Sequence, residues 1–384
     1  MSLDRLVNST EKLASIRSEL REQFIERDEL VDGALIALLS SQHMLLIGPP
    51  GTAKSMLAKA LCERVSGNYF EWLLTKFTTP EEIFGPISLP ALEQGRYERI
   101  TRHKLPEAQV AFLDEVFKAN SAILNALLTV LNERRFYQGV DAIDVPLGTL
   151  VAASNELPDE EELAALYDRF LLRFVVGYIE SDQGFRRLLR LGDAEPPANT
   201  VLSSGELHEL QGLVERVKVP AGVLAEIGEV RRQLNQQGLL ASDRRYRQLL
   251  VVLRAAAVLE GRDSVLHRDL KWLEHVLWQQ PEDRHTVLKV LSSLSGGFAD
   301  ETRRLRKQAR EIDAYARRQW PDESARQRAL LEAHTKLEEI HRRFETLSDE
   351  LRERGRDATE LDAEEQHIAA LQRALLGSED SWQS

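Results

Sequence analysis

Disulfides and membrane segments are the first features that this sequence lacks. Its 384 residues include a single cysteine, Cys62, so an internal disulfide is excluded, and the apolar surroundings of Cys62 predict a buried core thiol. No apolar run is long enough to cross a bilayer, and the first residues, Met1 to Arg5, lack the basic-then-apolar order of a secretory signal. These absences predict a cytoplasmic protein without a membrane span.

Basic residues are outnumbered as well. The chain carries 50 lysines and arginines against 62 aspartates and glutamates, which gives a formal net charge of −12. This surplus of negative charge opposes binding to nucleic-acid phosphates, so we do not expect nucleic acid as the main partner. Apolar residues make up 43% of the chain, which at this length is enough to build two or three domains with sizeable cores.

The strongest local pattern is Gly-Pro-Pro-Gly-Thr-Ala-Lys-Ser at positions 48–55. It follows a short apolar run, residues 44–47, and precedes a stretch that predicts the start of a helix. This context is typical of a P-loop, in which backbone N–H groups and the helix N-terminus hold nucleotide phosphates, Lys54 contacts the β- and γ-phosphates and Ser55 ligates Mg²⁺. The predicted nucleotide-binding residues are Gly48, Pro49, Pro50, Gly51, Thr52, Ala53, Lys54, Ser55 and Met56.

One position departs from the general P-loop pattern, because Ala53 stands where glycine is expected. Alanine carries a Cβ atom that restricts its backbone, so we expect near-helical dihedrals at Ala53, as the adjoining helix N-terminus permits.

Two polar strand ends supply the candidates for hydrolysis. Asp114 and Glu115 close an apolar run, and neighbouring carboxylates on a strand point to opposite faces, so Asp114 can hold the Mg²⁺ hydration shell while Glu115 polarises the attacking water. The alternative is a strand followed by an acidic helix N-terminus, which the separation from the P-loop disfavours. Asn155 ends another apolar run, where it either orients water and the γ-phosphate or caps a turn.

Two pairs of arginines complete the set of candidates. Arg169 and Arg173 flank the entry to a fifth strand, where an arginine is either a surface residue or the finger that a neighbouring subunit inserts beside a nucleotide. Arg244 and Arg245 follow the predicted N-cap Ser242, in the first turn of a helix. Positive side chains oppose the helix dipole there, which indicates a functional anion.

The first half of the chain predicts an α/β domain. Residues 1–192 alternate apolar strands with helices, as expected for an αβα domain with a parallel sheet. Two segments depart from this alternation: residues 93–99 predict a protruding hairpin, and residues 134–139 predict a loop or a hairpin. The proline-containing stretch 193–200 predicts a linker.

The second half predicts helices throughout. Residues 200–285 predict an all-helical lid domain, and residues 293–384 predict a C-terminal helical bundle or arm with a turn at 355–360. The long apolar stripe of this arm steps alternately by three and four residues, through Leu330, Ala333, Leu337, Ile340, Phe344, Leu347 and Leu351.

These motifs together resemble the MoxR family of AAA+ ATPases, over roughly residues 20 to 280, and most closely its RavA branch. The motifs that carry the resemblance are the P-loop, Leu113-Asp114-Glu115, Asn155, Asp168-Arg169-Phe170 and Ser242-Asp243-Arg244. The resemblance implies that Asn155 is sensor 1, that Arg169 is the finger acting in trans, with Arg173 as runner-up, and that Arg244 is the sensor 2 arginine, with Arg245 as runner-up.

The resemblance also implies a cofactor and an assembly. Members of the family use ATP with Mg²⁺, form hexameric rings and commonly work with a partner that has a von Willebrand factor A (vWA) domain. The absence of an Asn-Lys-x-Asp guanine motif agrees with ATP. RavA carries a small domain inserted in its arm, whereas the turn predicted here is only residues 355–360.

Three functions compete on this basis. The leading one is an ATP-hydrolysing, ring-forming, chaperone-like protein that remodels or matures protein partners. A nucleic-acid motor of the same superfamily would share the two hairpins, but the acidic net charge speaks against it. A nucleotide-gated assembly scaffold would not need the complete hydrolytic set.

Overall fold

The computed structural model describes residues 3–139, 141–158, 161–190, 200–294, 298–318, 320, 322–353 and 358–376. Contacts group the chain into two compact units. Unit 1 comprises Met1–Val219, Ala241–Val265 and Trp272–Arg284, and unit 2 comprises Pro220–Leu240, Leu266–Lys271 and His285–Ser384. The predicted division into residues 1–192, 200–285 and 293–384 is a different one and stays a prediction.

Helices and strands alternate through the first half of the chain and only helices follow. The α-helices are α1 (Leu3–Gln23), α2 (Asp28–Ser40), α3 (Lys54–Glu63), α4 (Pro80–Phe84), α5 (Leu89–Glu93), α6 (Ser121–Glu133), α7 (Glu161–Arg169), α8 (Asp182–Arg190), α9 (Ser204–Arg216), α10 (Ala221–Gln236), α11 (Asp243–Leu259), α12 (Asp283–Leu294), α13 (Phe298–Ala316), α14 (Glu323–Glu353) and α15 (Thr359–Leu376). The strands are β1 (Met44–Ile47), β2 (Tyr69–Leu73), β3 (Val110–Asp114), β4 (Arg135–Gln138), β5 (Asp141–Asp144), β6 (Thr149–Ser154) and β7 (Leu172–Val175).

Unit 1 is built on a parallel sheet with the strand order β2-β3-β6-β1-β7. The central strands β1 and β6 are buried along their whole length, which explains their continuous apolar sequences. All five strands run the same way, so their ends form a carboxyl edge and an amino edge of the sheet. The predicted α/β fold with a parallel sheet is confirmed, and β6 lies between the P-loop strand β1 and the acid-bearing strand β3.

The two predicted hairpins have different outcomes. Strands β4 and β5 pair antiparallel across the turn at Gly139, which confirms the second one. The first is not a simple hairpin of residues 93–99, because the short helix α5 ends at Glu93 and Arg99 forms an antiparallel bridge with Ile87 on the other side of that helix. Pro86 and Ser88 pair antiparallel with Ile100 and Glu98 around this helix, and the Ser88 hydroxyl accepts a hydrogen bond from the N–H of Ala91 to cap it.

Unit 2 contains α10, most of α12 and a bundle of α13, α14 and α15. The predicted stripe of α14 is buried within this bundle, and the core also takes in Leu305 and Ala309 from α13 and Leu361 and Ile368 from α15. The three-helix arm is therefore confirmed. Residues 355–357 of the predicted turn, and residues 193–199 of the predicted linker, lie outside the described residues.

Cys62 is buried in α3, as predicted, and burial raises the pKa of its thiol well above the usual range. The thiolate that reacts with oxidants or metals is therefore disfavoured. In the described ranges, no helix is both long enough and apolar enough to cross a bilayer.

Candidate functional site

The P-loop leaves β1 at the carboxyl edge of the sheet and enters α3 at Lys54. The N–H of Gly48 donates to the carbonyl of Ser154, 3.1 Å away, and ties the loop to β6. A Cβ atom at Gly48 would lie 2.1 Å from the carbonyl oxygen of Val176, so no other residue fits there without moving the backbone just after β7. Gly51 has a φ of +78°, which also favours glycine.

Ala53 has a left-handed backbone, with φ 64° and ψ 23°. The expectation of near-helical dihedrals was therefore wrong. The left-handed conformation turns neighbouring N–H groups toward a common centre, as a phosphate-binding loop requires, and costs a residue with a Cβ atom about 1 kcal/mol. This local strain is consistent with a functional loop.

The Lys54 side chain folds back over the loop. Its Nζ donates to the carbonyl oxygens of Gly48 and Pro49, at 2.7 and 2.8 Å, and only 7% of the residue is exposed. Burial lowers the pKa of Lys54, while the charges of Asp114 and Glu115 oppose that shift. A buried ammonium group that is bonded to neutral carbonyls suits the added negative charge of nucleotide phosphates.

Asp114 and Glu115 lie at the end of β3, as predicted. Asp114 Oδ1 accepts a hydrogen bond from the Glu115 N–H at 3.0 Å. Glu115 has a left-handed φ of 54°, which redirects its side chain where the strand ends. With Ser55 in the first turn of α3, Asp114 supplies the oxygen ligands that Mg²⁺ prefers, so the residues present fit an ATP–Mg²⁺ complex.

Asn155 forms a hydrogen bond with Glu115. Its Nδ2 donates to Glu115 Oε1 at 2.6 Å, because β6 and β3 are neighbours in the sheet. Lys118 lies on the other side, with its Nζ 3.3 Å from Glu115 Oε2. Sequence reasoning missed Lys118, although its position three residues after Glu115 in a short helical turn was a usable signal.

Arg169 and Arg244 do not join this cluster. Helix α7 ends at Arg169 just before β7, whose first residue Leu172 pairs with Met44 at the amino edge of the sheet. Arg244 Nη2 lies 3.5 Å from Oδ1 of Asn132, at the end of α6 that leads to the amino edge. Both arginines therefore lie at the edge opposite to the P-loop of their own chain, and their catalytic roles stay predictions.

Arg173 and Arg245, the runner-up residues for the finger and the sensor, are both buried. Arg173 is 2% exposed and donates to the carbonyl oxygens of Phe170, Tyr167 and Trp278. Arg245 is 4% exposed and donates to the carbonyls of Val276, Phe170 and Leu171 and to Asp168. Both side chains bind the backbone of their own chain, and their runner-up roles stay predictions.

The fold and the cluster at the carboxyl edge define a P-loop ATPase of the AAA+ class. The sheet has a strand between the P-loop strand and the acid-bearing strand, and Lys54, Asp114, Glu115 and Asn155 meet at one edge.

Comparisons with known proteins identify the family. A family model described as "MoxR domain in the MoxR-vWA-beta-propeller ternary systems" matches residues 11–212, and one described as an AAA lid domain matches residues 222–291. The chain therefore belongs to the MoxR family of AAA+ ATPases, which confirms the predicted family. The RavA branch stays a prediction.

Individual relatives agree with this assignment. The chain is 41% identical to the uncharacterized protein MJ0079 of Methanocaldococcus jannaschii, over 76% of each chain. It is 28% identical to the chaperone MoxR1 of Mycobacterium tuberculosis, over 66% of this chain and 70% of that one. A crystal structure of a putative ATPase from Cytophaga hutchinsonii has the same fold, with a TM-score of 0.61, 18% identity and coverage of 76% of this chain and 95% of that one.

Proposed function

We propose that this protein binds ATP with Mg²⁺ and hydrolyses it to remodel or mature a protein partner. The convergence of Lys54, Asp114, Glu115 and Asn155 at the carboxyl edge carries the proposal. Lys54 binds the β- and γ-phosphates, and Ser55 and Asp114 hold Mg²⁺, which neutralises charge on the phosphates when it is bound. Glu115 accepts the proton of the attacking water, and Asn155 orients Glu115 through the hydrogen bond between them.

The opposite placement of the arginines supports a ring with shared sites. Arg169 and Arg244 lie at the amino edge, away from their own P-loop, so either one serves a nucleotide only in another copy. A head-to-tail contact brings the amino edge of one copy to the carboxyl edge of the next and closes into a ring when the rotation allows. We propose a hexamer in which Arg169 is the finger and Arg244 a second phosphate-binding arginine, both acting in trans.

Exposed apolar side chains support a protein client. Phe77, on the loop after β2, is 90% exposed, and Leu73, Leu89, Leu92 and Ile100 of the same region of unit 1 are also exposed. Apolar groups on a surface favour protein contacts over nucleic acid. The description of the matching family model names vWA and beta-propeller components, and a relative is named a chaperone. We propose a vWA-domain protein as the partner.

The β4–β5 hairpin is the observation that favours a nucleic-acid motor, the second candidate. Its charges weaken that candidate, because the hairpin pairs Arg135 with Asp144 and also carries Asp141. The described residues of this hairpin therefore do not form a basic surface that could follow a phosphate backbone.

ATP turnover with different additions tests the function. We expect ATP hydrolysis that a vWA-domain partner stimulates and that single-stranded DNA, duplex DNA and RNA leave unchanged, with Lys54→Ala as the inactive control. Stimulation by a nucleic acid alone would support the motor. Tight ATP binding without turnover under any addition would support the nucleotide-gated scaffold.

A further inference from the structure

A group of metal-ligand side chains lies in unit 1, outside the P-loop. Glu29 belongs to the first turn of α2, and Glu274 and His275 end the 3₁₀-helical segment His267–His275. Their carboxylate oxygens and imidazole nitrogen all lie within 4.8 Å of one another. One imidazole with two carboxylates is a ligand set that suits divalent transition metals, zinc in particular.

His275 is the most deeply buried member of this group. Only 2% of the residue is exposed, and its ring lies against the rings of Phe174 and Trp272, with centroid distances of 4.2 and 5.6 Å. Within the described part of the chain, neither of its ring nitrogens has a hydrogen-bond partner. A buried polar group without such a partner is costly, so the ring is suited to a ligand that the protein itself does not supply.

The position of Glu29 suits a shared ion better than a hydrogen bond. Its Oε1 lies 3.2 Å from His275 Nε2, near enough for an ion pair, but the contact lacks the direction that a hydrogen bond requires. Two ligands of a tetrahedral zinc ion, each about 2.0–2.2 Å from the metal, are roughly 3.3 Å apart, and the second ligand lies beside the axis of the ring nitrogen. The Glu29 side chain is 51% exposed, so it can move aside to admit an ion from solvent.

Glu274 is held in place by an arginine outside the group. Arg284 Nε donates to Glu274 Oε1 at 2.5 Å, and Arg284 Nη2 lies 2.5 Å from the same oxygen, which leaves Oε2 for an ion. Metal-binding carboxylates are commonly held by an outer partner of this kind. Two carboxylates against one guanidinium also leave a negative charge that a cation compensates.

We propose that Glu29, Glu274 and His275 bind one divalent cation of the zinc class, with water in the fourth position. The ion joins the start of α2, the helix that precedes the P-loop strand, to the segment that precedes α12. Its role is to stabilise unit 1, and the site does not depend on ATP hydrolysis.

Zinc binding to the full-length chain tests the proposal. Metal-free protein, titrated with Zn²⁺ in competition with a coloured chelator, should bind one ion tightly, and Co²⁺ should give the visible absorption of a tetrahedral site. Glu29→Gln removes a ligand charge at an exposed position and should weaken Zn²⁺ binding about tenfold or more. Asp28→Asn is the matched control, because it makes the same change of charge in the same helical turn, outside the group.

A second variant separates a metal site from an ion pair. Histidine is also a zinc ligand, so Glu29→His should retain Zn²⁺ binding, although it removes the negative charge that an ion pair with His275 needs. Zn²⁺ should accordingly raise the unfolding temperature of the wild-type and Glu29→His chains more than that of Glu29→Gln. Loss of Zn²⁺ binding in Glu29→His would assign Glu29 to the ion pair and overturn the proposal.

Two further measurements locate the ion. Excess Mg²⁺ should not displace Zn²⁺, because Mg²⁺ prefers oxygen ligands, and displacement would indicate an oxygen-only site such as the one at the P-loop. The described residues contain one other histidine group of this kind, His341 with Glu345 and Glu365, in which the histidine side chain is 25% exposed. Zn²⁺ binding that His341→Gln removes and Glu29→Gln leaves intact would overturn the proposal, as would equal affinities of Glu29→Gln and Asp28→Asn or the absence of saturable binding.

Discussion

The Glu115 carboxylate has both of its oxygens engaged. Asn155 donates to one oxygen and the ammonium group of Lys118 lies beside the other, while the left-handed backbone fixes where the side chain starts. A base held in this way needs no rearrangement of its own when water approaches between it and the γ-phosphate. Lys54 interacts with phosphates that are present before the reaction begins. Replacing Lys54 should therefore weaken nucleotide binding, whereas replacing Glu115 should slow hydrolysis.

Replacing each of these residues separates binding from hydrolysis. Lys54→Ala should lose nucleotide binding, whereas Glu115→Gln should retain ATP and lower turnover by about 10² or more, the typical worth of a general base. Nucleotide binding and single-turnover hydrolysis, measured on both variants, give the comparison. Near-normal turnover in Glu115→Gln would remove Glu115 from the mechanism.

His43 makes unfolding sensitive to pH. Burial lowers its pKa to about 3, and its Nδ1 accepts a hydrogen bond from the N–H of Leu150 at 3.0 Å, which requires the neutral ring. The unfolded chain binds a proton at the ordinary pKa near 6.5, so the free energy of unfolding falls as the pH drops from about 6.5 toward 3. Between pH 7 and pH 5, protonation of His43 in the unfolded chain should lower the free energy of unfolding by about 2 kcal/mol.

The His43→Asn variant isolates that contribution. An asparagine amide oxygen can accept from Leu150 and does not titrate, so urea unfolding of this variant should lose less stability than the wild-type chain between pH 7 and pH 5. Equal losses in the two chains would show that His43 is not responsible.

The helical arm has a core of its own. Its buried residues come from α13, α14, α15 and the residue before α15, and the nucleotide-site residues named above lie outside this arm. Helix α14 has 31 residues and is therefore about 46 Å long, a span suited to reaching a partner. We read the arm as a docking or spacing element.

A chain that ends after Leu294 tests this interpretation. It should stay soluble, bind ATP and hydrolyse it within a few-fold of the full chain, because the arm's apolar stripe is buried within its own bundle. In a pull-down, the full chain should capture the vWA-domain partner and the truncated chain should not. Aggregation or loss of ATP binding would indicate that the arm stabilises the helices preceding it.

The elements differ in how much of them could be predicted. The parallel sheet was predictable because strands β1, β3 and β6 have continuous apolar sequences that end in chemically distinctive residues. Helix α5 was not, because a short helix capped by Ser88 has no apolar periodicity to reveal it. The residues Arg173 and Arg245 could not be told from Arg169 and Arg244, because their burial depends on residues 276–278, far along the chain.

The separation of the two edges of the sheet determines how the whole molecule should behave. Arg169 should serve the site of a neighbour, so Arg169→Ala should fold, bind ATP and hydrolyse it poorly, by about 10³-fold for a lost finger. Mixing it with Glu115→Gln should restore part of the turnover, because roughly a quarter of the interfaces in a randomly mixed ring combine an intact Arg169 with an intact Glu115.

The mixing experiment requires proof that the rings contain both chains, for example by capture on a tag carried by one of them. Lys54→Ala mixed with Glu115→Gln is the matched control. Both changes lie at the carboxyl edge of the same chain, so mixing cannot produce a site with an intact Lys54 and an intact Glu115, and turnover should not return. If co-assembled rings of Arg169→Ala and Glu115→Gln stay inactive, Arg169 acts within its own subunit or has only a structural role.

The position of Arg169 at the amino edge has a further consequence for abundance. With Arg169 acting only on a neighbour's nucleotide, as proposed, a single chain lacks a finger at its own site, so turnover per chain should fall when the protein is diluted below its assembly threshold. Doubling the amount of protein near that threshold would then more than double the activity. The amount of protein that a cell makes would then control its ATPase activity, without an effector that binds the chain.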